Sequence, residues 1–461
     1  MPRPSLLERV GLGRPELRAW ALYDWAASSV QTTIMVAVFP IYFVKVAGAG
    51  IAQSGATQRY AAINSIALVV IALVSPLLGA ISDYRAAKKR FTAIFMSLGA
   101  VACCGLFLVG PGDLDLASWL FIAVMVGVAG SYVFYEALLP HIAAPQEIDR
   151  VSAAGYAVGY LGGGVLLAFN LGWIQMPAVF GLPSGEGLTE SEATLPARLA
   201  FVSVAIWWVL FSIPLFRKVT EPPVRIEPDE RPGESPVRVA FVRLGETFRE
   251  LRSYRQAFVM LLAFLIYNDG IQTIIKMATA YGTEIGIGQS ALIGAILLVQ
   301  FVGIPCTFLF GSVAGRIGAK RALFLGLLAY TVISILGYYM TTATHFFVLA
   351  GLVGVVQGGT QALSRSLFAS MIPQHKSGEF FGFFSVFEKF AGIFGPLIFA
   401  GTIALTGSSR NAILSVIGFF AVGAALLALV NVEEGQRVAR EVERGTSLTS
   451  ATALSPPRSA R

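Results

Sequence analysis

Twelve stretches of mostly apolar residues, each about the 20 residues a helix needs to cross a bilayer, succeed one another along this 461-residue chain. They lie near 19–46, 58–81, 91–110, 117–139, 152–175 and 199–216, then near 257–281, 290–314, 322–341, 346–369, 380–405 and 411–431. In lipid, such stretches must satisfy their own backbone hydrogen bonds, which a helix does within itself. The expected fold class is therefore an all-α membrane protein with twelve transmembrane helices. Composition agrees, with 55% hydrophobic and 13% charged residues against about 25% charged in soluble domains. The net charge of +7 does not point to nucleic acid, because the charges sit in short segments between apolar spans. Their expected partner is the anionic leaflet of the lipid bilayer. Cys103, Cys104 and Cys306 all fall inside apolar spans and read as packing residues. The first apolar run is too long for a cleaved signal core and should remain as the first span.

A polar segment rich in proline and charge, Arg217 to Arg255, divides the spans into two sets of six. The expected organisation is a first six-helix bundle over 1–216, a linker over 217–255, a second bundle over 256–432 and a disordered tail over 433–461. Within the linker, Phe241, Leu244, Phe248 and Leu251 recur at helical spacing with arginines between them, the pattern of a helix lying on a membrane surface. A solvated linker is the competing reading. Charge asymmetry fixes the expected orientation. With an N-terminus in the cytoplasm, Lys45, Arg59, Arg198 and Arg410 fall outside, Lys276 and Lys389 lie within spans, and the remaining 28 of 34 basic residues face the cytoplasm. That satisfies the positive-inside rule, with both termini cytoplasmic.

The halves also repeat. A shift of 233 residues aligns Pro140 with Pro373, Ser152 with Ser385, Gly159 with Gly392 and Gly162 with Gly395; a shift of 232 aligns Gly79 with Gly311, Lys88 with Lys320 and Lys89 with Arg321. Offsets that agree within one residue across four spans mark a duplicated unit. Parallel repeats of this kind are the expectation for a rocking secondary transporter.

The seventh span carries the costliest residues. Leu261 to Tyr281 reads LLAFLIYNDGIQTIIKMATAY, with Asn268, Asp269 and Gly270 near its middle. An ionisable group at that depth faces a protein interior or a water-filled cavity, so Asp269 is a candidate substrate or proton site. A static structural partner is the competing reading. Asp269, Gln272 (or Thr273) and Lys276 follow at helical spacing and form one polar stripe. Lys276 is seven residues on, roughly 10 Å along the axis, too far for easy direct pairing.

After the second span the chain reads GAISDYRAAKKR and after the eighth GSVAGRIGAKR. Both resemble the loop signature of the major facilitator superfamily: Gly79, Asp83, Lys88, Lys89 and Arg90 in the first copy, Gly311, Arg316, Gly318, Lys320 and Arg321 in the second, with Gly315 where an acid is expected. That resemblance assigns the charged members to a cytoplasmic gate; simple positive-inside anchoring is the alternative. WALYDWA (Trp20 to Ala26), RVSAAGYAVGYLGG (Arg150 to Gly163), YNDGIQTI (Tyr267 to Ile274), QGGTQALSRS (Gln357 to Ser366) and EFFGFFSVFEKFAGIFGP (Glu379 to Pro396) are similar to strings of the vacuolar amino-acid effluxer family of autophagy and its bacterial relatives. The resemblance covers almost every span. Ala27 and Glu136 depart from it, standing where asparagines are expected.

The resemblance implies a major facilitator fold with two pseudo-symmetric bundles, in which spans one, four, seven and ten line a central cavity. Each of these carries a polar stripe here: Asp24, Ser28 and Gln31; Tyr132 and Glu136; Asp269, Gln272 and Lys276; Gln357, Gln361 and Arg365. Two layers are expected. At mid-membrane, Gln31, Asn268, Asp269, Gln272, Gln357 and Gln361 hold a small polar solute, and Lys276 attracts its carboxylate. Nearer the cytoplasm, Asp24, Glu136 and Arg365, joined by Glu388 and Lys389, form ion pairs that break and reform as the halves rock. Burial disfavours the charged form of a carboxylate, the physical basis for expecting protons as a second partner. Gly155, Gly159, Gly162, Gly163 and Gly164 read as a close-packing seam. No cofactor, metal site or nucleophile constellation is evident, so the chain is not expected to be an enzyme. The expected function is proton-linked export or exchange of amino acids or similar small polar solutes across a cell membrane; a proton-driven drug or sugar carrier and a transport-inactive sensor or scaffold are the alternatives.

Overall fold

The computed structural model describes residues 6–9, 11–85, 87–136, 138–143, 148–221, 245, 248–373, 380, 384, 387, 388 and 390–453. Helices α1 (Pro15–Ala47), α2 (Gln53–Arg85), α3 (Lys88–Gly105), α4 (Leu114–Glu136), α5 (Ile148–Gln175) and α6 (Glu190–Lys218) form the first half. The second half holds α7 (Arg255–Glu284), α8 (Gln289–Ile317), α9 (Ala319–Tyr338), α10 (Ala343–Ala369), α11 (Phe394–Thr406) and α12 (Ser409–Leu429). Among the described residues, nine helices are long and apolar enough to cross a membrane, and shorter apolar helices occupy Gln289–Gly303 and Phe394–Thr406. Large apolar side chains such as Val101, Leu328 and Leu405 point outward and are exposed, the arrangement a lipid solvent requires.

Several ends are set by local chemistry. Thr189 and Glu192 close a reciprocal capping box at the start of α6, and Thr342 accepts the His345 N–H at the start of α10, satisfying donors that a first turn leaves open. Helix α1 widens into π-helical turns at Val30–Ala37 and Phe43–Ala47, on either side of Pro40. Proline has no N–H to give the carbonyls one turn earlier. Side chains from other helices replace it: Tyr60 donates to the Met35 carbonyl at 2.8 Å, and Thr279 to the Val36 carbonyl at 2.5 Å.

The Thr279 bond joins the halves. Around it the π-helical part of α1 packs against α7, whereas Pro15–Ser29 packs on α5 and α6 of its own half. Helix α2 also meets α11, where Ser65 donates to the Ile393 carbonyl at 2.7 Å, and α5 meets α8. Among the described residues the halves therefore touch toward the far end of α1.

One expectation is corrected, and a second falls only partly within the described residues. The tail was expected to be disordered from residue 433, but α13 (Val432–Ala453) is helical. Asn431 caps it by accepting the Glu434 N–H, Arg437 pairs with Glu434 and Glu441 on its surface, and Gln436 donates to Ser370 at the end of α10. The buried Gly435 and Ala439, four residues apart, form the face that docks, and the paired charges lie on the exposed side. In the linker, Phe241 and Leu244 lie outside the described residues. Phe248 and Leu251 sit on a helical stretch, 248–253, where Leu251 is buried and Phe248 packs edge-on against Phe258 of α7.

Candidate functional site

A cavity of about 560 Å³ lies between the halves, within the range of small-molecule sites. Its wall collects polar residues from four helices whose stripes lie on separate stretches of sequence: Asp24, Ser28 and Gln31 from α1, Tyr132 and Glu136 from α4, Gln272 and Lys276 from α7, and Gln357, Gln361 and Arg365 from α10. Spacing of three or four residues keeps each set on one helix face. Glu388 also lines the cavity, as do Tyr160 and Gln300, which sequence reasoning missed because α5 and α8 were not counted among the lining helices.

Asp269 and Asn268 are not on that wall. Asp269, 1% exposed, turns toward the start of α11. Its Oδ1 accepts the N–H groups of Gly392 at 2.9 Å and Gly395 at 2.8 Å, and its Oδ2 accepts that of Phe394 at 3.0 Å. These are donors that a helix beginning at Phe394 cannot satisfy internally. The break has a sequence cause. Gly392 adopts φ +101, open mainly to glycine, and Pro396 suits a first helical turn but not a helix interior. The fit is close: a Cβ on Gly395 would overlap Thr273 Oγ1 and come within 2.7 Å of Asp269 Oδ1. The geometry is that of a structural cap. The signal was present as GIFGP, Gly392 to Pro396, inside an apolar span. Asn268 is fully buried, and its amide has no hydrogen-bond partner among the described residues.

In the first half, Asp24 is 6% exposed and faces the cavity. It accepts from Tyr132 Oη at 2.9 Å and from Ser28 Oγ at 3.4 Å. Around it, Trp20 and Tyr135 stack with centroids 4.7 Å apart, and each side chain donates to the other's backbone carbonyl. The α5 glycines make room for this wall: a Cβ on Gly155 would lie 2.6 Å from Trp20, and one on Gly159 would lie 2.6 Å from Ser28 Oγ. Gly162 and Gly163 meet Trp25 and Thr32 in the same seam, but Gly164, expected to belong to it, has no heavy atom within 4 Å. Arg365 pairs with Glu388 at 3.4 Å on the opposite wall. Lys389 lies outside the described residues.

The basic residues of the two loop signatures make bonds within halves. Lys89 Nζ donates to the Phe216 and Val219 carbonyls at 3.0 and 2.6 Å, at the end of α6; Lys320 Nζ donates to the Ala428 and Val430 carbonyls at 3.0 and 2.7 Å, at the end of α12. Each lysine thus meets the electronegative end of a helix. This equivalence pairs Lys89 with Lys320, an offset of 231, and corrects by one residue the alignment of Lys88 with Lys320; α3 and α9, starting at Lys88 and Ala319, keep the same offset. Lys88 lies 3.0 Å from His141, while Arg90, Arg316 and Arg321 are exposed. Asp83 falls in α2, its side chain outside the described set. Among the described residues no group of three His, Cys, Asp or Glu side chains could hold a metal ion.

Comparison with known proteins places this geometry. The MFS-type transporter YxiO of Bacillus subtilis is 36% identical over 434 residues, covering 92% of this chain and 96% of its own. Autophagy-related protein 22 of Yarrowia lipolytica is 26% identical over 320 residues; the match takes in 64% of this chain and about half, 52%, of that protein. Among solved structures, a D-xylose–proton symporter superposes with a TM-score of 0.63 at 13% identity, covering 92% of this chain and 97% of that one. A bacterial homologue of the human lysosomal transporter Spinster, inward-facing and unoccupied, gives 0.62 at 14% identity, with 94% and 98% covered. At such identities the structures establish the fold, that of the major facilitator superfamily. The family model described as "Vacuole effluxer Atg22 like" matches residues 13–440. With nearly the whole sequence inside that match, the chain belongs to the Atg22-like effluxer family and is a membrane transporter of the major facilitator type.

Proposed function

We propose that this transporter exports amino acids, or solutes of similar size and polarity, by alternating access linked to protons. The observation that carries the proposal is the convergence of four polar stripes on one cavity between halves that, among the described residues, touch toward the far end of α1. Polar residues at bilayer depth are costly and persist where they serve transport. Gln31, Gln272, Gln357 and Gln361 contact the solute, with Lys276 beside them. Asp24 carries the proton, because it faces the cavity and its hydrogen-bond partners are hydroxyls that rotate to donate or accept. Glu136 shares that wall. Arg365 and Glu388 form the gate pair at the cavity mouth.

In this reading twelve spans form bundles over 1–216 and 256–432 in a cell membrane, with both termini cytoplasmic, so the cavity opens to the cytoplasm. The export direction agrees with the effluxer description of the family. The test is movement of a labelled amino-acid panel in proteoliposomes with and without an imposed pH gradient, for the wild type and Asp24→Asn. The proposal expects gradient-stimulated movement that the substitution abolishes. Movement indifferent to the gradient would remove proton coupling. Movement of none of the panel would remove the amino-acid reading.

A further inference from the structure

Lys276 is 8% exposed on the cavity wall and makes no hydrogen bond or ion pair among the described residues. A buried cation without a hydrogen-bonded partner is expensive. The acid on its own helix does not pair with it. Both oxygens of Asp269 are taken by the Gly392, Phe394 and Gly395 N–H groups, so the two charges form no direct ion pair and attract each other only across the helix break. The break in α11 thus has two effects: it saturates Asp269, and it leaves Lys276 free to receive a charge from outside the protein.

The break also shapes the place where that charge would sit. At Gly392, with φ +101, a Cβ would come within 2.7 Å of Lys276 Nζ and 3.3 Å of Gln272 Cβ. The missing side chain is what lets the ammonium lie against the helix break beside Gln272. The ammonium supplies three donors and a full charge, and the glutamine amide both a donor and an acceptor. Much of the remaining wall is apolar, including Ile296, Leu349 and Val353, and suits a hydrocarbon body. We infer that Lys276 is the anion anchor of the transport cavity, and that the obligatory recognition group of the solute is a carboxylate, its ammonium group being dispensable. This rests on the cavity being the solute site, as proposed above. It divides the acid and the base of α7 into a positioning residue, Asp269, and a binding residue, Lys276.

The experiment is equilibrium binding to the purified full-length chain in detergent, by calorimetry, with three probes on one skeleton: phenylalanine, 3-phenylpropionate, which lacks the amine, and phenethylamine, which lacks the carboxylate. Phenylalanine and 3-phenylpropionate are expected to bind within about tenfold of each other, and phenethylamine at least about 30-fold more weakly, the scale of losing one buried charge partner. Lys276→Met should weaken the two carboxylates by the same factor, Lys276→Arg should restore part of the affinity, and Gly392→Ala should weaken both while keeping the charge. Because Lys276→Met removes an unpaired buried charge, its thermal unfolding should be no earlier than that of the wild type, so its loss of binding is not a loss of folding. Phenethylamine binding as tightly as phenylalanine, Lys276→Met binding 3-phenylpropionate within threefold of wild type, or no binding of any probe would each overturn the inference. The measurement requires neither protons nor movement across a membrane. Failure of proteoliposome transport with carboxylate binding intact therefore counts against the transport proposal alone.

Discussion

Asp24 in the first half and Asp269 in the second stand on corresponding helices, each beside a pair of glycines from the fifth helix of its own half. Asp24 takes its hydrogen bonds from two side-chain hydroxyls at the edge of a cavity. Asp269 takes three from the backbone, away from the cavity. The repeat locates the cause. At an offset of 233, Gly159 and Gly162 correspond to Gly392 and Gly395, but Gly163 corresponds to Pro396. In the first half α5 runs unbroken through these glycines, so their N–H groups remain in the helix. In the second, Gly392 and Pro396 end one helix and begin another, and the freed donors claim the carboxylate. A buried acid becomes a rigid cap or an adaptable cavity group according to whether the facing helix is continuous.

The comparison breaks if the two acids behave alike. Asp269→Asn should have the largest effect, because the amide nitrogen cannot accept and would face a backbone donor. A loss of about 3 kcal/mol is expected, read as early thermal unfolding, whereas Asp24→Asn should cost about 1 kcal/mol or less. Equal destabilisation would end the distinction between cap and cavity group. Next in size, Gly395→Ala should cost about 2 kcal/mol by forcing a methyl into Thr273 and Asp269, and Gly159→Ala should cost less, since the Ser28 hydroxyl it meets can rotate away.

The loop lysines sharpen the symmetry that remains. Lys89→Met and Lys320→Met should each cost about 1 kcal/mol, and by equal amounts, because each caps the last helix of its half. A transport defect in both without loss of stability would instead restore the gate reading. The smallest effect is expected at α13, outside the membrane spans. The side-chain hydrogen bond from Arg437 holds the Glu434 carboxyl below its ordinary range. A lowered value in the folded chain means that the stabilisation is present above the ordinary glutamate range and is lost as the pH falls through the folded value. The protection of α13 against hydrogen exchange, taken relative to the intrinsic rate at each pH, should therefore fall as the pH drops below ~4, and Glu434→Gln should show at neutral pH the protection of the acidified wild type.

Much of the site is legible in the sequence. The stripes of α1, α4, α7 and α10 follow from helical spacing, and Gln31, Gln272, Lys276, Gln357 and Gln361 do face one cavity. Asp269 falls by spacing on the same stripe as Gln272 and Lys276, yet it points to α11. Spacing assigns residues to a face about a third of a helix wide, and two neighbours, the cavity and α11, share that face. The Lys89–Lys320 equivalence is likewise missed by one residue, because sequence alignment scores identity whereas the helix ends that the lysines cap lie more than a hundred residues away in the chain.

The sequence by itself determined that this is a membrane protein, roughly where its helices run, that its halves repeat and which residues are too polar to face lipid. Those properties depend on the length and period of apolar runs, which are local quantities. Only the tertiary structure decided which polar groups satisfy one another and which face the cavity. A buried carboxylate takes whichever donors come within about 3 Å, and for Asp269 these come from residues 123 to 126 positions away. That encounter sets Lys276 apart from its neighbouring acid and leaves its charge on the cavity wall.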